Sequence, residues 1–490
     1  MEIFKKYLAA NEESADSNAV ETIEKLIERL NTSARSEDRR DGMRAIKALS
    51  KDYRLEVGTN AIFICAEIIE KDGDDIELAS FAVETLYNIM CDSNNERIEP
   101  QRLVNIPTDL GSQFTEMFAK DPKNIKHLFN LLDSYDLHLR RSVIRLIALM
   151  LSNKPKEMQH YILECPNALQ KAIDVLSDAR EVVRNEAILA ITQLTQNNTT
   201  IKNIVAFNNA FSLIIDILIS EGGSDGTVIV QDCLKLLKSL LFRHSANQSL
   251  FKEGGFIKRF GKFFDFSQTD FEGGWSPQKV LNVCNMLKVL RCLVCPTNKQ
   301  QMRTICQKEI HDCGLLNKMC CLLLTNGLPT EVLIEVIYTA GEMVRGYTLS
   351  QQYLAAFPAP MTPPQPAVNI LLMTMFGETQ PFSVRIAALY CFQCLLYKNS
   401  KGQENIISAL RPKPNAHLME SRPGQLIFSG LWSNDPSSSW FATVALSHAI
   451  NGNVNLKEEL LRVQLASSLD SQHTVSLLSQ CFNLLGQVVQ

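Results

Sequence analysis

The sequence predicts an all-α fold, an armadillo/HEAT-like α-solenoid in which helical repeats stack into a superhelix. Three observations carry that expectation. The first is a recurring phrase: Leu139-Arg-Arg-Ser-Val-Ile-Arg-Leu-Ile147, Val183-Arg-Asn-Glu-Ala-Ile-Leu-Ala-Ile191, Ile229-Val-Gln-Asp-Cys-Leu-Lys-Leu-Leu237 and Val384-Arg-Ile-Ala-Ala-Leu-Tyr-Cys-Phe392. The second is its spacing. The starts at 139, 183 and 229 lie about 45 residues apart, the length of a unit of two or three helices. The third is composition: 46% of the 490 residues are hydrophobic and 21% charged, which suits a core-forming chain. One such unit cannot bury its apolar face alone, so neighbours stack and leave a long groove. That architecture holds partners and does not transform substrates.

The elements follow in order. Residues 19–30 place apolar side chains at 20, 23, 26, 27 and 30, one helical face. Ser36-Glu-Asp opens the next helix with a cap and two acids. It is expected to run to Tyr53, with Met43, Ala45, Ile46 and Leu49 inward. A pair follows at 61–70 and 76–90, joined by Lys71-Asp-Gly-Asp-Asp75. There Gly73 suits the left-handed conformation that ends a helix. The regular section spans about 110–262, punctuated by turn clusters at Asp178, Asn197 and Glu221-Gly-Gly-Ser-Asp-Gly226. Five prolines between Pro358 and Pro366 exclude helix interior. Helical periodicity resumes after every break. Residues 1–490 are therefore read as one domain with loops near 92–109, 266–277, 357–367 and 411–424. No strand pattern of any length competes, and no heptad run predicts a coiled coil. The sequence closes on the amphipathic stretch Val475–Leu485 without a polar cap. The expectation is a short form of something longer, or an end covered by a second copy.

Several function classes are excluded. Net charge is −4 with a pI near 6.1 and no basic stripe, so a sequence-independent grip on nucleic acid is not expected. No run of about 18 apolar residues, no secretory signal and no myristoylation site is present. Membrane contact would be indirect and peripheral. The 14 cysteines include Cys233, Cys284, Cys391, Cys394 and Cys481 inside apolar helical runs. They are read as packing residues of a reducing compartment. Cys292-Leu-Val-Cys295 and Cys391-Phe-Gln-Cys394 have zinc or redox spacing, with Cys306, His311, Cys313, Cys320 and Cys321 as further donors. Neither pair has the strand context of a redox motif, and packing is the expected role. Gly222-Gly-Ser-Asp-Gly226 could offer amides to an anion but lacks the P-loop order, so a tight turn is expected. No nucleophile–base or metal pattern emerges, so no enzyme and no cofactor is predicted. Arg40, Arg140, Arg184 and Arg385 recur near the phrase. They either line a groove facing acidic partners or bond the neighbouring repeat. The three Trp, at 275, 432 and 440, do not follow the repeat period. That disfavours a receptor for nuclear-localisation signals.

Longer stretches resemble a known family. They are Glu37-Asp-Arg-Arg-Asp-Gly-Met-Arg-Ala-Ile-Lys-Ala-Leu-Ser-Lys-Asp-Tyr-Arg-Leu-Glu-Val-Gly58, Asp109-Leu-Gly-Ser-Gln-Phe-Thr-Glu116 and Ile204-Val-Ala-Phe-Asn-Asn-Ala-Phe211. Glu221–Gly226, Gly274-Trp-Ser-Pro-Gln-Lys-Val280, Leu389–Cys394 and Lys457-Glu-Glu-Leu-Leu-Arg-Val-Gln-Leu-Ala466 continue the series. Together they resemble the general vesicular transport factors, the Uso1-type Golgi tethers, over nearly the whole sequence.

The resemblance implies an armadillo-like head of a homodimeric, peripheral membrane protein of the cytoplasm, Golgi membrane and transport vesicles. It implies vesicle tethering in endoplasmic-reticulum-to-Golgi and intra-Golgi transport, before SNARE-driven fusion. Rab-type small GTPases, SNAREs, the oligomeric Golgi complex and golgins are the implied partners. The family's coiled coil and acidic tail are absent from these residues, which leaves tail-dependent golgin contacts open. A generic armadillo scaffold unconnected with vesicles is the alternative. Partner contacts are expected within 204–241, where a Gly-rich break separates two apolar runs. Phe207, Asn208, Ser224, Asp225 and Asp232 are the candidate binding residues. Phe207 and Phe211 have a competing role as core.

Overall fold

The computed structural model describes residues 17–92, 109–267, 271, 273–409, 423–466, 474–477 and 479. Among them are 26 α-helices and two pairs of short antiparallel strands. The fold is an all-α solenoid of three-helix repeats, each opened by a long helix. The chain divides into two compact units, one of Met1–Glu221 with Lys235–Leu240, the other of Gly222–Leu234 with Leu241–Gln490.

In the first unit, Ser17–Thr32 and Ser36–Leu49 pack with Arg54–Lys71 and Ile76–Met90. Leu110–Ala119 and Pro122–Asn130 follow. The next repeats are Leu137–Asn153, Pro155–Glu164 and Ala168–Asp174, then Glu181–Leu194, Thr199–Phe207 and Ala210–Ser220. The second unit repeats the plan with Pro277–Val294, Gln300–Asp312 and Leu315–Leu323; with Thr330–Val344, Thr348–Ala356 and Ala367–Phe376; and with Phe382–Leu396, Ser400–Ser408 and Pro423–Leu431. Pro436–Ala449 and Val454–Leu461 close it. All four copies of the sequence phrase fall on long helices. Its fifth, sixth, eighth and ninth positions face the core in every copy, and its first in three of the four: Leu139, Val143, Ile144, Leu146 and Ile147 in one copy, Val384, Ala388, Leu389, Cys391 and Phe392 in another.

Two turns recur, and each follows from backbone chemistry. Between the second and third helices a residue adopts positive φ: Asn167 at 63°, Asn209 at 62°, Gly255 at 69° and Gly314 at 77°. After the long helix another does so: Asn197 at 54°, Arg243 at 53°, Gly346 at 75°, Lys398 at 53° and Gly452 at 74°. Asn and Gly enter this region at least cost, which is why they dominate both sets.

The second turn aims two carbonyls at one point, and a buried glutamine from the preceding repeat caps them. Gln159 Nε2 donates to the carbonyls of Leu194 (3.1 Å) and Gln196 (2.8 Å). Gln307 does the same to Glu342 (3.1 Å) and Arg345 (3.0 Å). Gln351 reaches Cys394 (3.0 Å) and Tyr397 (2.9 Å), and Gln403 reaches His448 (3.0 Å) and Asn451 (2.9 Å). Gln248 is a variant, bridging Leu241 in its own repeat (2.9 Å) and Cys292 (3.0 Å). The last carbonyls of a helix have no partner within it. One carboxamide supplies two N–H groups and ties the repeats together.

The recurring arginines take the second of their two expected roles. Arg40 pairs with Asp75 at 3.0 Å, Arg184 with Glu221 at 2.8 Å and Arg385 with Asp435 at 2.8 Å, while Arg140 pairs with Asp178. Each acid lies in the segment leading to the next long helix. Asp75 and Asp435 also cap that helix through its backbone amides.

Five local expectations are corrected. Ser36 is the first helical residue, and the cap position is Arg35, whose side chain makes no capping bond. That helix ends at Leu49, and the next begins at Arg54 rather than at 61. Ala45 and Leu49 are only half-buried, whereas Met43 and Ile46 are fully so. Gly73 does not take positive φ; Asp72 ends the helix with φ −117°. Short strands were not anticipated: Pro358–Ala359 pairs with Gln365–Pro366, and Gln464–Ala466 with Thr474–Ser476 at the start of the supposed amphipathic stretch. Most of the expected loops at 92–109 and 411–424, and Cys481, lie outside the described residues.

Gly58 marks a close approach within the first unit. A Cβ there would stand 2.2 Å from the Phe114 ring, which is itself fully buried. Gly58→Ala is expected to destabilise by about 1–3 kcal/mol through overpacking. Urea unfolding measures it, and an unchanged midpoint would show that the ring moves aside freely.

Candidate partner-binding surface

The five candidate residues fall in two groups. Phe207 and Asn208 belong to the first unit; Ser224, Asp225 and Asp232 belong to the second.

Phe207 is the last residue of the Thr199–Phe207 helix and is 82% exposed. Asn208 follows as its cap, half-buried, with its N–H donating to the Ile204 carbonyl. Asn209 then turns through positive φ and starts Ala210–Ser220, where Phe211 is buried. The two phenylalanines therefore part company: Phe211 is core and Phe207 is not. Ile219 on that second helix is also exposed.

The Gly222–Gly226 segment is a tight turn. Gly222 and Gly223 have φ of 90° and 59°, and Gly223–Asp225 forms one 3-10 turn. Two side chains of Pro277–Val294 fasten it. Asn282 Nδ2 donates to the carbonyls of Ser224 (3.2 Å) and Gly226 (2.8 Å). Lys279 Nζ pairs with Asp225 at 3.0 Å. The Lys279 ammonium also lies against the rings of Trp275 (5.2 Å) and Phe266 (5.7 Å), where cation–π attraction helps hold it. Ser224 Oγ donates to Asp225 at 3.0 Å. Asp232 is half-buried on Val228–Leu241. Asp225 keeps 64% of its side chain in solvent, so it faces outward while being fixed from beneath. Lys279 and Asn282 were not expected from sequence. Their signal was an Asn and a Lys buried on the apolar side of a helix, which needs the partner turn to be recognised.

Most of the described cysteines are buried and behave as packing residues. Cys391 and Cys394 are fully buried, and burial pushes the Cys394 thiol up to about 12. Cys292 Sγ donates to the Lys288 carbonyl at 3.3 Å, and Cys295 stands beside Thr297. Among the described residues no group of three His, Cys, Asp or Glu side chains could hold a metal ion. No single described helix is long and apolar enough to cross a membrane.

Residues 272–332, which include the lysine and asparagine that fasten the turn, match a family model described as the armadillo tether-repeat of vesicular transport factor. Residues 349–490 match the head region of Uso1/p115-like vesicle tethering proteins. The general vesicular transport factor p115 of Homo sapiens is 44% identical over 95% of this chain. The chain belongs to the Uso1/p115-like family. It spans about half the length of the curated relatives it matches, 48% for the human protein. Golgin candidate 6 of Arabidopsis thaliana is 28% identical over 94% of this chain and 52% of its own length. A crystal structure of Uso1 superposes with a TM-score of 0.80 at 21% identity, covering 93% of this chain and 74% of that one. The solenoid fold is thus shared with that protein.

Proposed function

We propose that this chain is the head of a vesicle tether acting in endoplasmic-reticulum-to-Golgi and intra-Golgi transport. The kinship with the human vesicular transport factor over 95% of the chain carries the reading. In it, the solenoid holds a Rab-type small GTPase and SNAREs, and hands vesicles on with the oligomeric Golgi complex and golgins. The protein is peripheral on the cytosolic face of Golgi membranes and vesicles and works as a homodimer of one continuous 1–490 head. Tethering requires only that two membrane-bound partners be held together, so no catalysis is involved. A second copy raises effective concentration without new contacts.

Phe207 supports the site assignment, because it is a large exposed aromatic side chain and aromatic residues are enriched at interfaces. Asn208 follows it in the first unit, and Ser224, Asp225 and Asp232 of the second unit are proposed separately as polar partner contacts. The test is binding to Rab GTPases of the early secretory pathway, loaded with GTP or GDP. Selective binding of the GTP form is expected. Phe207→Ser should weaken it about tenfold or more while helicity and thermal midpoint stay unchanged. Full affinity in that variant would remove Phe207 from the interface, and indifference to the nucleotide would remove the GTPase from the reading.

A further inference from the structure

We propose that Tyr135 is a phosphorylation site for a tyrosine kinase that favours acidic residues beside its target. Tyr135 is 96% exposed, whereas Tyr353, the other exposed tyrosine among the described residues, is 37% exposed and has its hydroxyl bonded to Asn317 at 2.8 Å. The Tyr135 backbone is fixed even though its ring is free. Leu131 and Leu132 bury the turn before it, and Arg180 Nη1 donates to its carbonyl at 2.9 Å. Ser134 (φ −61°, ψ 143°) and Asp136 (φ −73°, ψ 130°) are both extended. The hydroxyl is therefore carried outward between two extended residues, open to approach in line with a nucleotide's γ-phosphate. Asp133, 67% exposed, and Asp136 flank it.

In the transfer, Tyr135 Oη bonds to the γ-phosphorus of ATP, the bond to the ADP oxygen breaks, and the phenolic proton passes to the kinase's base. The product adds between one and two negative charges. Lys171 pairs with Asp133 at 2.6 Å, and Arg180 is fastened to the Tyr135 carbonyl. It now forks onto Asp178, Nε and Nη2 each at 3.0 Å, and Asp178 also pairs with Arg140 of Leu137–Asn153. A phosphate on Tyr135 competes for Arg180 and leaves Asp178 with Arg140 alone. The Asp178–Arg140 pair between the two consecutive repeats stays in place.

The experiment treats the purified chain with ATP and a Src-type kinase domain and follows every tyrosine by mass spectrometry. Tyr135 is expected to be modified about tenfold faster than any other described tyrosine, a ratio of specificity constants. Tyr135→Phe should abolish that fast phase, and Asp133→Asn should slow it severalfold. Labelling spread evenly over the tyrosines overturns the site, and an unaffected Asp133→Asn rate overturns the acidic preference. The full-length protein from phosphatase-inhibited cells should carry phosphate at Tyr135; its absence there overturns the proposal as biology.

Discussion

Replacing Gln351 by Leu is expected to destabilise the second unit by roughly 2–5 kcal/mol, far more than a polar-to-apolar change at a surface. Gln351 is fully buried, and its carboxamide is the donor to both Cys394 and Tyr397 carbonyls. Those carbonyls face inward because Lys398 turns the chain at φ 53°. Leucine fits the volume but has no N–H to offer. Two desolvated carbonyls are then left without this donor, each costing on the order of 1–3 kcal/mol. Gln352, the exposed next residue, provides the control: Gln352→Leu should stay within about 0.5 kcal/mol. Urea unfolding followed by near-ultraviolet circular dichroism measures both. If Gln351→Leu matched its control, the glutamine would be an ornament of the turn and not a fastening between repeats.

This glutamine series shows where the sequence is legible and where it is not. The phrases at 139, 183, 229 and 384 announced the long helices because apolar periodicity is local, and each phrase contains its own evidence. The glutamines at 159, 248, 307, 351 and 403 have no fixed spacing, since the loops between repeats vary in length. Gln307 even sits deeper in its helix than the others, and Gln248 uses a carbonyl of its own repeat. What makes the other four necessary is a pair of carbonyls some 35 to 48 residues away. No local pattern reports that. The arginines were equally ambiguous: Arg140 and Arg184 could have faced a groove until Asp178 and Glu221 were placed beside them. Gly73 misled for a related reason. A glycine after a helix suggests a left-handed cap, but here Asp72 ends the helix and Gly73 is wanted for space. A Cβ on it would stand 3.2 Å from both the Ile69 carbonyl and Leu131. For the candidate surface, sequence located the Gly-rich turn and Phe207. It could not tell Phe207 from Phe211, because a helix-terminal position shifts a side chain between core and solvent within one residue.

Glu342→Gln is expected to make the protein more stable at pH 8 and to flatten its stability between pH 5 and 8. Glu342 lies on Thr330–Val344 with only 7% of its surface exposed. Burial pushes its carboxyl up to about 7. Arg291, Tyr390 and Arg345 oppose that rise, and Glu335 adds to it. Arg291 is a weak counterion here: its Nη1 is committed to Glu335 at 2.6 Å, while its Nε stands 3.7 Å from Glu342. The sign follows from proton binding. Between the ordinary carboxyl value of 4.5 and about 7, the folded state holds a proton that the unfolded state has lost. Raising the pH through this window therefore disfavours the fold. The loss reaches roughly 3 kcal/mol and levels off above about pH 7. Glutamine has nearly the same shape and no charge to desolvate, so it escapes the loss and leaves the carbonyl that Gln307 caps in place. The difference in unfolding free energy between parent and variant, measured in urea from pH 5 to 8, isolates this group from every other titration. It should grow with pH in favour of glutamine. A difference that is constant across the range would mean that Glu342 stays ionised in the fold, its charge balanced by Arg291 after all.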